Sequence, residues 1–163
     1  MKINRVIFGN GKVSQIIRKK NDVIITHDMC DITDLKAVLS VFEEYSPDVV
    51  INCAAKTNLE WCQENKSDTF NVNTLGPINL LKGCQLVGTK LVHISSGCLF
   101  DGNDKVCDEN TDPTPAVWYT WTKMWADQYI QNFGYENYLI LRPRQLISAV
   151  SHPTNMLTKF SSF

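Results

Sequence analysis

Short and nearly uninterrupted runs of Val, Ile and Leu recur along this chain, separated by amphipathic segments with helical periodicity. Because the runs lack the polar alternation of a half-exposed sheet, they indicate strands that are buried on both faces. The predicted strands are residues 3–8, 22–26, 48–53, 90–95 and 138–142. Alternating strands and helices predict right-handed crossovers and an α/β fold, a doubly wound (Rossmann-type), mostly parallel sheet with helices on both faces.

The helices predicted between these strands are residues 13–20, 35–45, 67–87 and 118–133. Gly76 and Pro77 lie inside the third helix, which should therefore kink or split at this pair. Ligands of doubly wound folds bind beyond the carboxyl ends of the strands. We therefore expect the functional residues in the loops that follow Phe8, Thr26, Cys53, Ser95 and Leu141.

Charge and cysteine content narrow the classes of partner. The formal net charge is −1, which gives no electrostatic reason to expect nucleic acid or an anionic membrane. No apolar run approaches the roughly 20 residues that span a bilayer. The 6 cysteines form no Cys-x-x-Cys pair and no histidine stands at zinc-finger spacing, so no metal site is predicted. Without a signal-peptide pattern, we expect reduced thiols and a cytoplasmic location.

A glycine-rich turn joins the first predicted strand to the first helix. It reads Gly9-Asn10-Gly11-Lys12-Val13-Ser14, a G-x-G-x-x-S variant of the dinucleotide-binding fingerprint. Gly9 allows the tight turn and Gly11 lets the backbone approach the pyrophosphate, whereas Ser14 replaces the glycine that serves close helix–strand packing. The predicted cofactor-binding residues of this turn are Gly9, Asn10, Gly11, Lys12 and Val13.

The choice between NAD(H) and NADP(H) stays open, with NADP(H) slightly favoured. Asp28 and Asp31 follow the second strand, where an acidic residue can hold the adenosine ribose of NAD(H). Lys12 would instead attract a 2′-phosphate. The aspartates can also be read simply as loop and helix-capping residues.

Tyr119 and Lys123 stand four residues apart in the last predicted helix, and this spacing places both side chains on one helix face. A tyrosine has an ordinary pKa of about 10, which a neighbouring ammonium lowers. Ser96, at the end of the fourth strand, would polarise a ketone while Tyr119 delivers a proton and a nicotinamide delivers hydride. Lys123 can also hold the nicotinamide ribose. A Tyr-x-x-x-Lys pair alone also occurs by chance in many helices.

Taken in order along the chain, these motifs resemble those of the extended short-chain dehydrogenase/reductase family. They are Gly9/Gly11, Asp28-x-x-Asp31-Ile32, Asn52-Cys53-Ala54-Ala55, Asn73-x-x-Gly76, Ser95-Ser96, Tyr119-x-x-x-Lys123 and Leu141-Arg142-Pro143. The glycine turn is one residue shorter than is usual there. The resemblance implies that the adenine lies near Asp31 and Ile32, and that the cofactor is lined by Cys53, Ala54, Ala55 and Lys56. We expect residues 1–163 to form one NAD(P)-binding Rossmann domain, the N-terminal part of a longer enzyme whose substrate-binding segment is largely absent.

A narrower resemblance concerns the segment after the fourth strand. Residues 48–57 are similar to those of dTDP-4-dehydrorhamnose reductases, but Gly97-Cys98 replaces the Asp-Tyr usual there. Ser96-Gly97-Cys98-Leu99-Phe100 looks like the bifunctional UDP-rhamnose-forming 3,5-epimerase/4-reductases. In that group a Cys after the catalytic hydroxyl and a late Lys carry the epimerisation, roles that fall on Cys98 and Lys159. Asn155, Gly97 and the two side chains at 96 and 98 are the implied substrate contacts.

The sequence thus predicts an enzyme that epimerises UDP-4-keto-6-deoxyglucose at C3 and C5 and reduces its C4 ketone with NAD(P)H, giving UDP-L-rhamnose. Two alternatives stay open: a reductase acting only on dTDP- or GDP-linked keto sugars, and a non-catalytic NADP-binding regulatory subunit. Relatives pair through the helices that match 67–87 and 118–133, which implies a homodimer. A nucleotide sugar is the other expected partner.

Overall fold

Five short strands form one sheet in the computed structural model, which describes residues 4–102, 106–144 and 146. The strands are β1 (Arg5–Phe8), β2 (Val23–Ile25), β3 (Val49–Asn52), β4 (Lys90–Ile94) and β5 (Tyr138–Leu141). Every pairing is parallel, and the strand order is β2-β1-β3-β4-β5. The predicted α/β fold with a parallel sheet is confirmed. The chain crosses from one side of β1 to the other on entering β3, and such a switch point opens a crevice at the carboxyl ends of the two strands.

Helices connect these strands throughout the described part of the chain. They are α1 (Lys12–Ile17), α2 (Leu35–Tyr45), α3 (Leu59–Glu64), α4 (Lys66–Phe70), α5 (Gly76–Val87) and α6 (Trp118–Asn132). The predicted first helix was too long, because Arg18 already has extended backbone (φ −63°, ψ 143°). The sequence analysis missed α3, although Asn58 caps it by accepting a hydrogen bond of 2.8 Å from the backbone N–H of Trp61.

A π-helical turn, Asn71–Leu75, lies between α4 and α5. The backbone N–H of Gly76 reaches back to the carbonyl of Asn71, five residues earlier. Pro77, which follows, has no N–H to give and would clash with the carbonyl of residue 73 in a regular α-helix. The widened turn accommodates this proline. The split predicted at Gly76-Pro77 is therefore present, in the form of a π turn that starts five residues earlier.

The principal core lies on one face of the sheet, beneath α2, α5 and α6. Its fully buried members include Val6, Val50 and Leu91 from the strands and Val38, Leu80, Leu81 and Ile130 from the helices. Burying one such side chain contributes roughly 1.5–3 kcal/mol to folding. On the opposite face Ile7 and Ile51 are also buried, whereas Leu139 and Leu141 of β5 are partly exposed.

Helix α5 holds the loop that follows β2. Gly76 allows this, because a Cβ there would overlap the Ile32 side chain. Three residues later, the Asn79 side-chain amide donates hydrogen bonds of 3.0 Å to the carbonyls of Ile32 and Thr33. Helix α5 thus packs against the Ile32 side chain of this loop and also hydrogen-bonds to the loop backbone. None of the helices described in residues 4–144 has both the length and the apolar character needed to cross a bilayer.

Candidate active site

A cleft of about 250 Å³ opens at the carboxyl ends of β1, β2 and β3. Nine residues predicted to bind the cofactor line it: Gly9, Asn10, Gly11, Asp31, Ile32, Cys53, Ala54, Ala55 and Lys56. Lys12 and Val13 stand at the start of α1 and are not among the lining residues. The sequence analysis missed five others, which are Ile25, Thr26, His27, Cys30 and Val72. Residues 25–27 could have been inferred, because Ile25 ends β2 and the next two residues follow it at the same sheet edge.

The two glycines of the first turn differ in their surroundings. Gly9 has φ +95°, and a Cβ built there would lie 2.7 Å from the backbone nitrogen of Ala54. Both the backbone angle and the contact exclude a side chain, because L-residues rarely adopt this φ. At Gly11 a Cβ would meet no atom within 4 Å. Gly9 therefore shapes the turn, whereas Gly11 leaves open space beside it.

Ser14 occupies the place of the third fingerprint glycine. It is fully buried, and its hydroxyl donates a hydrogen bond of 2.8 Å to the carbonyl of Gly11. A serine fits here because its only polar atom is bonded within the turn itself. The missing glycine is thus replaced by a residue that ties the first turn of α1 to the glycine loop.

Asp31 is the acidic residue that reaches the cleft. Its Oδ1 accepts hydrogen bonds from the backbone N–H (2.9 Å) and the hydroxyl (2.8 Å) of Thr33. The backbone hydrogen bond is the largest reason why the pKa of this carboxyl is lowered. Beside it, burial and the charges of Asp31 and Asp34 raise the pKa of the Cys30 thiol to about 11. The Cys30 thiol, which lines the cleft, is therefore protonated at neutral pH and a poor nucleophile.

Two asparagines fix the loop after β3 that forms the cleft floor. Asn52 Oδ1 accepts from the backbone N–H of Ala54 at 3.0 Å. Asn73, buried in the π turn, accepts from the Lys56 N–H (2.8 Å) and donates to the Lys56 carbonyl (2.9 Å). Its amide also reaches the Thr122 hydroxyl at 3.2 Å. Asn73 therefore joins the cleft floor to α6. The sequence analysis noted this asparagine only as part of a motif and gave it no role.

Ser96, just after β4, and Tyr119, in the first turn of α6, are the two predicted catalytic hydroxyls. Ser96 follows β4 and caps the 3-10 turn Gly97–Leu99, with its Oγ accepting from the Cys98 N–H at 3.1 Å. Tyr119 is the second residue of α6, and the Ser96 side chain acts on its phenol by lowering the pKa. The prediction of a lowered Tyr119 pKa was wrong: burial raises this pKa, and the effect of burial outweighs the opposing effect of Ser96.

Lys123 lies one helical turn after Tyr119 and is only 1% exposed. Its Nζ donates a hydrogen bond of 2.8 Å to the carbonyl of Ile94, at the end of β4. Burial lowers its pKa to about 8, although Asp127 and Cys53 both act to raise it. Cys53 also lines the cleft, so the lysine interacts electrostatically with a residue of the cleft wall. The lysine thus loses its proton far more easily than an exposed lysine does.

A buried polar network, which was not predicted from the sequence, surrounds Lys123. His93 Nε2 lies 3.3 Å from Lys123 Nζ. Asp127 Oδ2 accepts from Ser95 Oγ at 2.9 Å and from Arg142 Nε at 2.8 Å. Asp127 stands four residues after Lys123 on α6, so the i, i+4, i+8 spacing from Tyr119 was a signal that could have found it.

Cys98 is exposed in the 3-10 turn, two residues after Ser96. Gly97 lets this turn pass close to the segment after β5, because a Cβ there would lie 3.1 Å from the Arg142 carbonyl oxygen. Asn155 and Lys159 lie outside the described residues. Within the ranges that the structure covers, no three His, Cys, Asp or Glu side chains are grouped so as to hold a metal ion.

Comparison with known proteins decides the family. The model of the RmlD substrate-binding domain matches residues 8–162. The chain belongs to the RmlD family. This confirms the resemblance to extended short-chain dehydrogenases/reductases, whereas the bifunctional epimerase type that the sequence suggested is not confirmed.

Its relatives include reductases and bifunctional enzymes of rhamnose synthesis. The dTDP-4-dehydrorhamnose reductase of Mycobacterium tuberculosis (strain H37Rv) is 33% identical over 128 residues, which cover 75% of this chain and 41% of the relative. The bifunctional dTDP-4-dehydrorhamnose 3,5-epimerase/dTDP-4-dehydrorhamnose reductase of Arabidopsis thaliana is 26% identical over 153 residues, covering 86% and 50%. The chain therefore spans half or less of the length of these two RmlD-family relatives.

Solved structures share the fold closely. The dTDP-4-dehydrorhamnose reductase of Bacillus anthracis in complex with NADP superposes with a TM-score of 0.89 at 27% identity, covering 99% of this chain and 59% of that one. The UDP-rhamnose synthase of Acanthamoeba polyphaga mimivirus has a TM-score of 0.80 at 24% identity, covering 99% and 62%. At that identity the second similarity concerns the fold alone.

Proposed function

We propose that this RmlD-family chain forms the cofactor-binding part of an NADPH-dependent nucleotide-sugar 4-ketoreductase of the dTDP-4-dehydrorhamnose reductase type. The observation that carries the proposal is that Ser96, just after β4, acts electrostatically on the Tyr119 phenol, with Lys123 one turn further along α6. These groups adjoin the cleft through Cys53, which lines it and interacts electrostatically with the lysine. A proton donor and a carbonyl-polarising hydroxyl thus lie near the cleft, although neither lines it.

The hydroxyls of Ser96 and Tyr119 have different roles in the reduction of the ketone. The pKa of the Tyr119 phenol is raised by burial, so the phenol keeps its proton at neutral pH, as a general acid must. A ketone oxygen placed between the two O–H groups accepts a hydrogen bond from Ser96 and takes the proton of Tyr119. A bound nicotinamide supplies the hydride. When Lys123 is charged, it stabilises the phenolate that remains after proton transfer.

The cleft suits a dinucleotide. Gly11 presents its backbone toward open space, with nothing within 4 Å of a built Cβ, and this is the approach that a pyrophosphate needs. We favour NADP(H) over NAD(H) because the Asp31 carboxylate already accepts two hydrogen bonds from Thr33. His27 lines the same cleft and can donate to a 2′-phosphate. The NADP complex of the Bacillus anthracis relative is consistent with this preference.

The cofactor preference is tested by calorimetry with NADPH and NADH on the wild-type protein and His27→Asn. We expect NADPH to bind about tenfold more tightly than NADH, and the variant to lose most of this difference. Equal affinities in the wild type would contradict the assignment of NADP(H) but would leave the proposed reduction unaffected.

The reaction is tested by incubating the whole enzyme with a dTDP-linked 4-keto-6-deoxy sugar and following NADPH oxidation. Ser96→Ala and Tyr119→Phe should each slow oxidation by about 10²–10⁴-fold while leaving NADPH affinity nearly unchanged. UDP- and GDP-linked keto sugars tested in parallel identify the nucleotide base. Cofactor binding without oxidation in the presence of any of them would overturn the proposal and favour a regulatory subunit.

A second candidate is the bifunctional 3,5-epimerase/4-reductase. Exposed Cys98, two residues after Ser96, is the observation that favours it. A C4 ketone acidifies the hydrogens at C3 and C5, so a thiolate can take one as a proton, leaving an enolate that is reprotonated on the opposite face. In the family resemblance Lys159 is the second acid–base group.

Deuterium incorporation separates the two candidates. An epimerase working in D₂O should place deuterium at C3 and C5 of the recovered sugar, and Cys98→Ala should abolish this. Cys107→Ala is the matched control, because Cys107 is also an exposed cysteine. Reduction with no deuterium at either carbon would leave the reductase-only enzyme as the function.

A further inference from the structure

Three ionisable residues with no step in the proposed reaction surround Lys123. His93 of β4 is fully buried, and Asp127 of α6 is fully buried as well. Arg142, after β5, forms an ion pair of 2.8 Å with Asp127. Burying charged groups away from water is costly, so such a cluster is kept only where its members are paired.

The tautomer of His93 is fixed by Asn52. A backbone N–H can only donate, so the Asn52 atom that faces the Ala54 N–H at 3.0 Å is the oxygen. The Asn52 amide NH₂ consequently faces His93 Nδ1 at 3.1 Å and donates to it. Since Nδ1 is the acceptor, a neutral His93 carries its proton on Nε2.

The Nε2–H of His93 points toward Lys123 Nζ, at 3.3 Å. An ammonium has only donors, so it cannot accept this hydrogen bond. A neutral amine can accept it through its lone pair while still donating to the Ile94 carbonyl at 2.8 Å. The observed arrangement is therefore the one that suits a neutral lysine.

Asp127 offers the imidazole a second acceptor. Its Oδ2 is occupied by Ser95 and Arg142, but Oδ1 is buried without a hydrogen-bond partner. Oδ1 lies 3.8 Å from His93 Nε2, so a movement of less than about 1 Å would form a hydrogen bond of ordinary length. Leaving a buried carboxylate oxygen without a hydrogen-bond partner is unfavourable, and this favours the movement once the lysine no longer accepts.

We propose that His93 and Asp127 form a buried hydrogen-bond switch that sets the charge of Lys123. With the lysine neutral, the imidazole N–H donates to its amine. When Lys123 takes up a proton from solvent, the N–H turns to Asp127 Oδ1, and the aspartate becomes the counter-charge of the ammonium. His93 and Asp127 act through Lys123, so both are positioning residues. The proposal rests on the proposed reductase function in that the charged lysine is the form that assists Tyr119.

The groups that face Lys123 from each neighbouring element agree with this assignment. They are His93 from β4, Cys53 from the loop after β3, and Asp127 on α6, whose carboxylate is also paired with Arg142 beyond β5. Burial holds the pKa of His93 well below its ordinary value, so the imidazole stays neutral and exchanges no proton with solvent near neutrality. Burial likewise raises the pKa of Cys53 to about 12. The lysine is thus the member that titrates near neutral to mildly basic pH.

The switch is tested first in the wild-type protein by NMR, without cofactor or substrate. Lysine labelled at Cε reports the charge of Lys123, and ring ¹⁵N shifts report the His93 tautomer. We expect the Nε2–H tautomer throughout, with a change in its N–H signal at the same pH midpoint as Lys123. An Nδ1–H tautomer, or a His93 signal that does not follow the lysine titration, would overturn the proposal.

A pair of variants then isolates the charge of Asp127. Asp127→Asn keeps the shape but removes the counter-charge, and should lower the Lys123 midpoint by about one pH unit or more. Ser95→Ala removes a hydrogen bond to the same carboxylate but keeps its charge, and should move the midpoint far less. An unchanged midpoint in folded Asp127→Asn would overturn the switch. None of these measurements uses turnover, so the switch and the reductase proposal can fail separately.

Discussion

Gly9 and Ala54 approach so closely that a methyl group on Gly9 would lie 2.7 Å from the Ala54 backbone nitrogen. This contact brings the loops after β1 and β3 together at the mouth of the cleft. Gly9→Ala should therefore destabilise the fold by about 1–3 kcal/mol, since it adds both a steric overlap and an unfavourable φ of +95°. Thermal denaturation followed by circular dichroism measures this loss.

Gly11→Ala is the matched variant for the same turn. No atom lies within 4 Å of its built Cβ, and its φ is −82°. The protein should keep its melting temperature within a few degrees but bind NADPH at least about tenfold more weakly, because the methyl group occupies the space of the pyrophosphate. Unchanged NADPH affinity in calorimetry would argue against the cofactor lying on this turn.

Tyr119→Phe removes the proposed proton donor while keeping the ring. The first-order rate of the reduction step should fall by about 10²–10⁴-fold, as expected for the loss of a general acid. Single-turnover measurement of NADPH oxidation reports this step directly. Tyr129→Phe serves as control, because the Tyr129 ring only stacks on Phe133 at 5.2 Å along the same helix. Equal losses in the two variants would indicate damage to α6 and not loss of a proton donor.

The pH dependence of the reaction should reflect Lys123. Its pKa is lowered to about 8, so the ammonium is present below this pH and disappears above it. Tyr119 does not contribute in the same range, because its pKa is raised and the phenol stays protonated. We expect kcat/KM to fall by about tenfold for each pH unit above about 8. A rate that stays level up to pH 10 would show that the lysine charge is not required.

Asn73 supports the cleft floor through both polar groups of the Lys56 backbone. Asn73→Ala would leave a buried N–H and C=O without partners, which costs about 1–3 kcal/mol of folding free energy. NADPH affinity should fall as well, because the loop at 54–56 lines the cleft. Asn132→Ala is the control, since Asn132 is exposed and its amide bonds only the Gln128 carbonyl of the same helix. Urea denaturation of the pair gives the difference.

Thiol labelling distinguishes Cys98 from the buried cysteines. Cys98 is exposed, whereas Cys62 and Cys84 have no exposed surface. An iodoacetamide reaction on the folded protein, read by peptide mass spectrometry, should modify Cys98 many times faster than either of them. A bound sugar nucleotide should slow the modification of Cys98 if this residue contacts substrate. Equal labelling with and without the nucleotide would place the sugar elsewhere.

The strands could be predicted from sequence because their cause is local. Residues 6–8 (Val-Ile-Phe) and 49–51 (Val-Val-Ile) are apolar at every position, and this pattern is typical of a strand covered on both faces. The glycine turn was predicted from its position at a strand end, and the Tyr119–Lys123 pair from its spacing on a helix. The cleft residues Ile32 and 53–56 were implied by the family resemblance. The π turn and α3 were harder to predict from the sequence, because a single asparagine cap and one proline are compatible with several local backbone conformations.

By itself, then, the sequence determined the order of strands and helices and the edge of the sheet at which polar residues collect. Only the tertiary structure decided the electrostatic environment of the site. The pKa of Tyr119 is raised instead of lowered, and Lys123 lies beside His93 and interacts electrostatically with Asp127. These properties depend on burial and on groups brought together from β3, β4, α6 and the segment after β5. Distances between residues 30 or more positions apart are set by packing, which no local pattern of sequence encodes.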